Sequence, residues 1–178
     1  MKKHFELILT VGLFLCTGNI VYAESIWQDK GANFEKRVDI AHSYLKKGQG
    51  EKALSETEMV IKNNPDLFEA YAVKTMICLE MNKWDNAIES SKEMIRLAPD
   101  NFAAHLGLGQ AYGGKRLFDD AIQEFKEAIR IKPDDPGAYY YLGFAYVENG
   151  QKDKAKEVHD RLKTINTEAA EALGKLIR

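Results

Sequence analysis

The chain has 178 residues, 45% of them apolar, with 25 Lys or Arg against 27 Asp or Glu and a formal net charge of −2. That is enough material for one domain with its own core. There is no basic surplus to hold a polyanion, which argues against nucleic acid as a ligand, all the more because setting aside residues 1–23 as a signal leaves 23 basic against 26 acidic residues.

Residues 1–23 open with the basic head Met-Lys-Lys-His, continue through an apolar run from Leu7 to Leu15, and end on Val21-Tyr22-Ala23. Together these read as a secretory signal peptide cut after Ala23, which predicts a periplasmic or secreted protein. Two other readings stay open. Leu7 to Tyr22 is just under the roughly 17 residues that span a bilayer, so an uncleaved segment would anchor the chain at the inner membrane. Cys16 follows an apolar triplet as in a lipoprotein signal, although Leu15 is not the small residue such signals want. Residues 24–33 form a short leader in which Trp27 either covers the end of the first repeat or is disordered. A cut after Ala23 leaves Cys78 alone, so no internal disulfide forms.

From there the chain repeats. Pro65, Pro99 and Pro133 stand 34 residues apart, and the step fixes four units, 34–67, 68–101, 102–135 and 136–169. Each unit reads as two short amphipathic helices joined by a tight turn. Place 8 of the frame is Ala41, Thr75, Gly109 and Gly143, where a small residue lets the two helices close up. Place 20 is Ala53, Ala87, Ala121 and Ala155, and place 11 is Tyr44, Cys78, Tyr112 and Tyr146, which predicts a buried Cys78. The turn falls on Gly48, Asn82, Arg116 and Gly150 at place 15. Gly and Asn accept the left-handed conformation needed there, and Gly113 or Gly114 is expected to take that job for Arg116. Glu51, Asp85, Asp119 and Asp153 at place 18 face the positive end of each second helix. Asp66, Asp100 and Asp134 are expected to cap the next first helix. A capping helix, 170–178 and starting near 168, closes the array with an apolar stripe of Ala169, Leu173 and Leu176, with Ala172 and Ile177 beside it.

In the third unit Leu108, Gly109, Tyr112, Ala121, Phe125, Ala128 and Pro133 occupy places 7, 8, 11, 20, 24, 27 and 32. This pattern resembles the tetratricopeptide repeat, with His105 where that family has Trp. Units three and four match best. Unit two matches least, having Lys74 at place 7 and Ser91 at place 24. The resemblance implies an all-α fold: a right-handed superhelical α-solenoid of four helix-turn-helix repeats plus the C-terminal capping helix. It also implies that first helices line a concave groove. The groove-facing places 5, 9 and 12 then give a candidate peptide-binding set of Val38, His42, Leu45, Ala72, Met76, Leu79, Leu106, Gln110, Tyr140, Phe144 and Val147. Ala103, Gly107 and Gly137 would let a ligand backbone come close. Places 4, 7, 8 and 11 are expected to supply the core without the side chains at places 5 and 9. The alternative is a superhelix curled tightly enough for the groove residues to touch one another.

The expected function is a non-catalytic adaptor of the cell envelope that holds an apolar peptide or helix of another envelope protein, with an acidic rim at Glu35, Glu69, Glu80 and Glu148 favouring some positive charge in it. The alternative is a structural, self-associating part of an envelope complex that uses the array ends. Chaperone-tail clamps of the same family need Lys, Asn and Arg at groove places where this chain has Val38, His42, Val73, Ala103 and Gly107, or Ala72, Met76, Gly107, Gly137 and Tyr141. Neither window fits. His42, His105 and His159 fall at places 9, 4 and 24 of different units, no Cys-x-x-Cys occurs, and no Gly-rich loop follows a strand. The reading is therefore no enzyme, no catalytic residues, no metal, no cofactor and no small-molecule substrate.

Overall fold

The computed structural model describes residues 36–41 and 43–177; the signal 1–23, the leader 24–33 with Trp27, Glu35 and His42 lie outside the described residues. The described residues form nine helices and no strand: α1 (36–46, residue 42 excepted), α2 (Gly50–Asn63), α3 (Phe68–Glu80), α4 (Trp84–Leu97), α5 (Phe102–Gly114), α6 (Phe118–Ile131), α7 (Pro136–Glu148), α8 (Lys152–Ile165) and α9 (Thr167–Ile177). Extensive contacts run only between helices one or two apart in the chain, the signature of a solenoid. The helices α3, α5 and α7 are apolar nearly all round because neighbours cover them on several sides. Their partners α4, α6 and α8 keep one solvated face and are strongly amphipathic. No helix of the described residues is long and apolar enough to cross a membrane.

One turn closes all four hairpins. Gly48, Asn82, Arg116 and Gly150 have φ of 70°, 55°, 62° and 73°. In each hairpin the amide after that residue bonds back five places, as Gln49 to Tyr44 at 2.8 Å and Leu117 to Tyr112 at 2.9 Å, while the left-handed residue bonds back three. This is the Schellman closure. Arg116 takes the left-handed conformation itself, contrary to the expectation for Gly113 or Gly114, which stay inside α5. The register of the turn is set by the packing on either side, and its guanidinium lies over the Phe118 ring at 5.3 Å.

The junction aspartates also differ from expectation. Asn101 and Asp135 cap α5 and α7, accepting from the amides of Ala104 and Ala138, with Pro136 in the first turn of α7. Asp66, Asp100 and Asp134 sit one residue earlier, out of reach of those amides. They pair instead with the second helix of the next unit, through Arg96 at 2.9 Å, Arg130 at 2.7 Å and Arg161 at 3.3 Å. The first-turn acids tie one unit to the next: Glu51 to Lys83 at 2.9 Å, Asp85 to Lys115 at 2.5 Å, and Asp119 to Asn149 at 2.7 Å. Place 4 anchors the junction prolines, with Tyr71 donating to the Pro65 carbonyl at 2.9 Å. His105 donates to the Pro99 carbonyl at 2.9 Å, its other ring nitrogen 2.7 Å from Glu124.

In the third hairpin the sizes at places 8 and 24 are complementary. A Cβ on Gly109 would stand 2.6 Å from the Phe125 ring. In the second unit the bulk is exchanged, and buried Thr75 bonds Ser90 at 2.8 Å and reaches Ser91 at 3.4 Å. In the fourth, Leu173 of α9 fills the space over Gly143 that His159 leaves open. The alanines at place 20 are all fully buried, as is Cys78, whose thiol burial pushes above its usual range. Equally buried are Ala70, Ala104 and Ala138 at place 3 and Ile77 and Ala111 at place 10, which were not expected in the core. On α9 the buried face is Ala170 and Leu173 with Ala169 and Ile177 half-buried, while Leu176 and Ala172 are exposed, so the covering stripe runs one residue away from the expected one.

Two stability measurements follow. Gly109→Ala should destabilise by ~1–3 kcal/mol through overpacking against Phe125; in a Phe125→Ala background the same change should turn stabilising by about 1 kcal/mol, the helix preference for Ala. Gly150→Ala, with nothing within 4 Å of the new carbon, should cost ~1–2 kcal/mol from the left-handed backbone alone. Both are read by urea denaturation.

Candidate functional site

The first helices α3, α5 and α7 pack one against the next, and their side chains at places 5, 9 and 12, with Val38 and Leu45 of α1, make up the described part of the expected groove set. Met76 and Phe144 are exposed there, both at 36%. Val38, Leu45, Ala72, Leu79, Leu106, Gln110, Tyr140 and Val147 are half-buried. Leu45 and Leu79 pack on the core shared by α1 to α5, Leu106 and Val147 on that of α6 to α8, and Tyr140 on Leu162, Ala170 and Leu173. The expectation that the core does without the side chains of places 5 and 9 therefore fails for Leu106 and Tyr140. Adjacent first helices run so close that a side chain at place 5 or 12 reaches the neighbouring unit.

Between the turn-end halves of α3, α5 and α7 lies a groove of about 560 Å³. Its walls are Leu79 and Glu80 from the end of α3, Gln110, Gly113 and Gly114 from α5, and Tyr140, Tyr141, Phe144 and Ala145 from α7, with Trp84 and Phe125 at its base. Leu79, Gln110, Tyr140 and Phe144 thus come together, whereas Val38, Leu45, Ala72, Met76, Leu106 and Val147 do not line it. Aromatic packing fixes the wall. Phe125 and Tyr141 stack at 5.7 Å and 17°, and Tyr140 meets Tyr141 edge-on at 5.9 Å and 74°. The Phe144 ring takes part in neither of these ring contacts and is exposed.

Sequence reasoning missed Trp84. It begins α4 at place 17, and its ring lies where a Cβ on Gly114 would be, 2.5 Å away. The available signal was the spacing: Trp84 and Gly114 are related across one unit by the same step of 30 residues that joins Asp85 to Lys115. Gly107, expected to admit a ligand backbone, is buried, and a Cβ there would meet Thr75 at 3.0 Å and Ser91 at 3.3 Å. It serves the packing of α5 on α3 and α4. Gly113 is the residue that leaves open space. At the rim Glu69, Glu80 and Glu148 are exposed, with Glu148 3.6 Å from Arg116. Among the described residues no three His, Cys, Asp or Glu are grouped to hold a metal ion.

Two family descriptions match the chain: TPR repeat over residues 118–150 and tetratricopeptide repeat over residues 137–165. The second falls within the unit 136–169 and spans α7 and α8. No curated protein matches the chain in sequence. Solved structures do match in fold. The thermophilic TPR protein TTC0263 of Thermus thermophilus is 21% identical with a TM-score of 0.67, the match covering 80% of each chain. MamA residues 41 to the end, from Desulfovibrio magneticus RS-1, is 21% identical with a TM-score of 0.70, over 75% of this chain and 76% of that one. A further MamA structure is 22% identical with a TM-score of 0.70, over 83% and 86%. The fold is that of the tetratricopeptide solenoids, and the family matches support repeats of that kind in the C-terminal half. This architecture is typically a non-enzymatic scaffold for protein–protein interaction.

Because Gly113 is helical and faces open space, Gly113→Ala should raise stability by ~0.8–1.0 kcal/mol, measured by thermal or urea unfolding. A loss would mean that the backbone at the groove depends on that glycine.

Proposed function

We propose that this chain is a non-catalytic adaptor of the cell envelope, exported by the signal at residues 1–23, which holds an apolar peptide or helix of another envelope protein in the groove between α3, α5 and α7. The observation that carries the reading is the Phe144 ring, exposed in a concave aromatic wall that the fold completes without it. Concave, largely apolar sites with a few polar groups are where ligands bury best. Contiguous exposed apolar surface rimmed by polar residues marks a site of interaction. The wider candidate set from Val38 and His42 through Val147 extends the contact along the array if the bound segment is long.

The anchor is tested by capturing cross-linked partners from the intact envelope and measuring the affinity of the captured segment. Phe144→Ala should weaken binding by ~1–3 kcal/mol while leaving the unfolding midpoint nearly unchanged. An unaltered affinity would remove Phe144 from the interface. Tyr140→Ala is a poorer probe, because Tyr140 also packs against Leu162 and Leu173.

A second reading is self-association or assembly through the array end, and the exposed Leu176 on α9 favours it. Leu176→Lys, on a solvent-facing position, should then abolish any concentration-dependent growth in light-scattering mass. Growth that survives the change would exclude that face.

A further inference from the structure

We infer that the partner segment presents an arginine to this groove, its guanidinium resting on the aromatic wall and paired with Glu80. The inference rests on the adaptor reading above and names the chemistry of its occupant. Among the described residues Glu80 is the only formally charged side chain lining the groove, which no Lys or Arg enters. The neighbouring carboxylates at the turn edge are already engaged by the chain itself, Glu51 by Lys83, Asp85 by Lys115 and Glu148 by Arg116. Glu80 has no hydrogen-bond or ion-pair partner among the described residues.

Its position makes that isolation informative. Glu80 is the last residue of α3, beside the partial negative charge of the helix end, where a carboxylate is disfavoured until a cation joins it. A cation entering from a partner relieves both that repulsion and the missing ion pair. The rest of the lining selects which cation. Trp84, Tyr140 and Phe144 offer aromatic surface next to the carboxylate. A guanidinium is planar, weakly hydrated and able to stack on such rings while its N–H groups donate in parallel to one carboxylate. An ammonium is more strongly hydrated and gives only a point charge. The chain uses the same pairing internally, with Arg116 over the Phe118 ring and near Glu148.

The test is a display selection of short randomised peptides on the full mature chain and on its Glu80→Gln and Gly113→Leu variants, the last filling the groove from its open glycine. Trp27→Phe in all three leaves Trp84 as the fluorescent reporter of occupancy. The expected result is arginine enrichment over lysine on the wild-type groove and none on Glu80→Gln. The best arginine peptide should lose about tenfold in affinity on Glu80→Gln, and the same when its arginine is exchanged for neutral citrulline, without the two losses adding. Peptides that bind wild type without arginine enrichment, or with lysine serving equally, yet fail on Gly113→Leu, overturn the arginine inference and leave the adaptor standing. If no peptide is selected, or those selected bind Gly113→Leu as well as wild type, the groove reading falls with it.

Discussion

Everything in this molecule depends on how closely the two helices of one hairpin approach. At place 20 an alanine is fully buried in every unit, and at place 8 the residue is small or, in the second unit, a threonine matched by serines opposite. A larger side chain on either side would push the helices apart and lose contacts that a dense core does not replace. Because the hairpin is thin, it cannot bury its own apolar face, and stability comes from stacking it on the next. The fully buried alanines of places 3 and 10 are the record of that stacking: they are where one unit's first helix meets its neighbours.

The capping helix shows the same constraint at the end of the array. In the fourth unit His159 at place 24 lies against Gly174 of α9, and Leu173 of α9 enters the space above Gly143. The cap is therefore a part of the last hairpin's core as well as its cover. Along the edges, acids at the start of the first three second helices reach the turn of the following unit, and the aspartates beside the prolines reach arginines on the second helix of the next unit. Exposed pairs of this kind add little individually, but they recur at the repeat spacing and so hold each unit in one register.

Much of the fold was legible in the sequence because a fixed period with small residues at constant places leaves few ways to pack. What was not legible lay where a local rule competed with packing. Arg116 takes a left-handed turn that a residue-type rule gives to Gly, since the hairpin register on both sides leaves it no alternative. Asp66, Asp100 and Asp134 look like caps from their neighbourhood with proline, yet they stand one position short of the amides. The candidate site was legible only in outline. Places 5, 9 and 12 named Leu79, Gln110, Tyr140 and Phe144 at the groove, but the frame carries no information on how near adjacent first helices come. It therefore treated Leu106 and Tyr140 as free when neighbours half-cover them. Trp84 escaped notice because its partner, Gly114, lies in the next unit.

The central claim is that the inner wall receives another protein while the outer helices do not. Phe144 on α7 and Met59 on α2 are almost equally exposed, at 36% and 38%, so a photo-reactive amino acid placed at either site samples solvent to the same degree. Illumination in intact cells should join position 144 to another polypeptide and leave position 59 unattached. Equal products from both positions, or none from 144, would contradict the account.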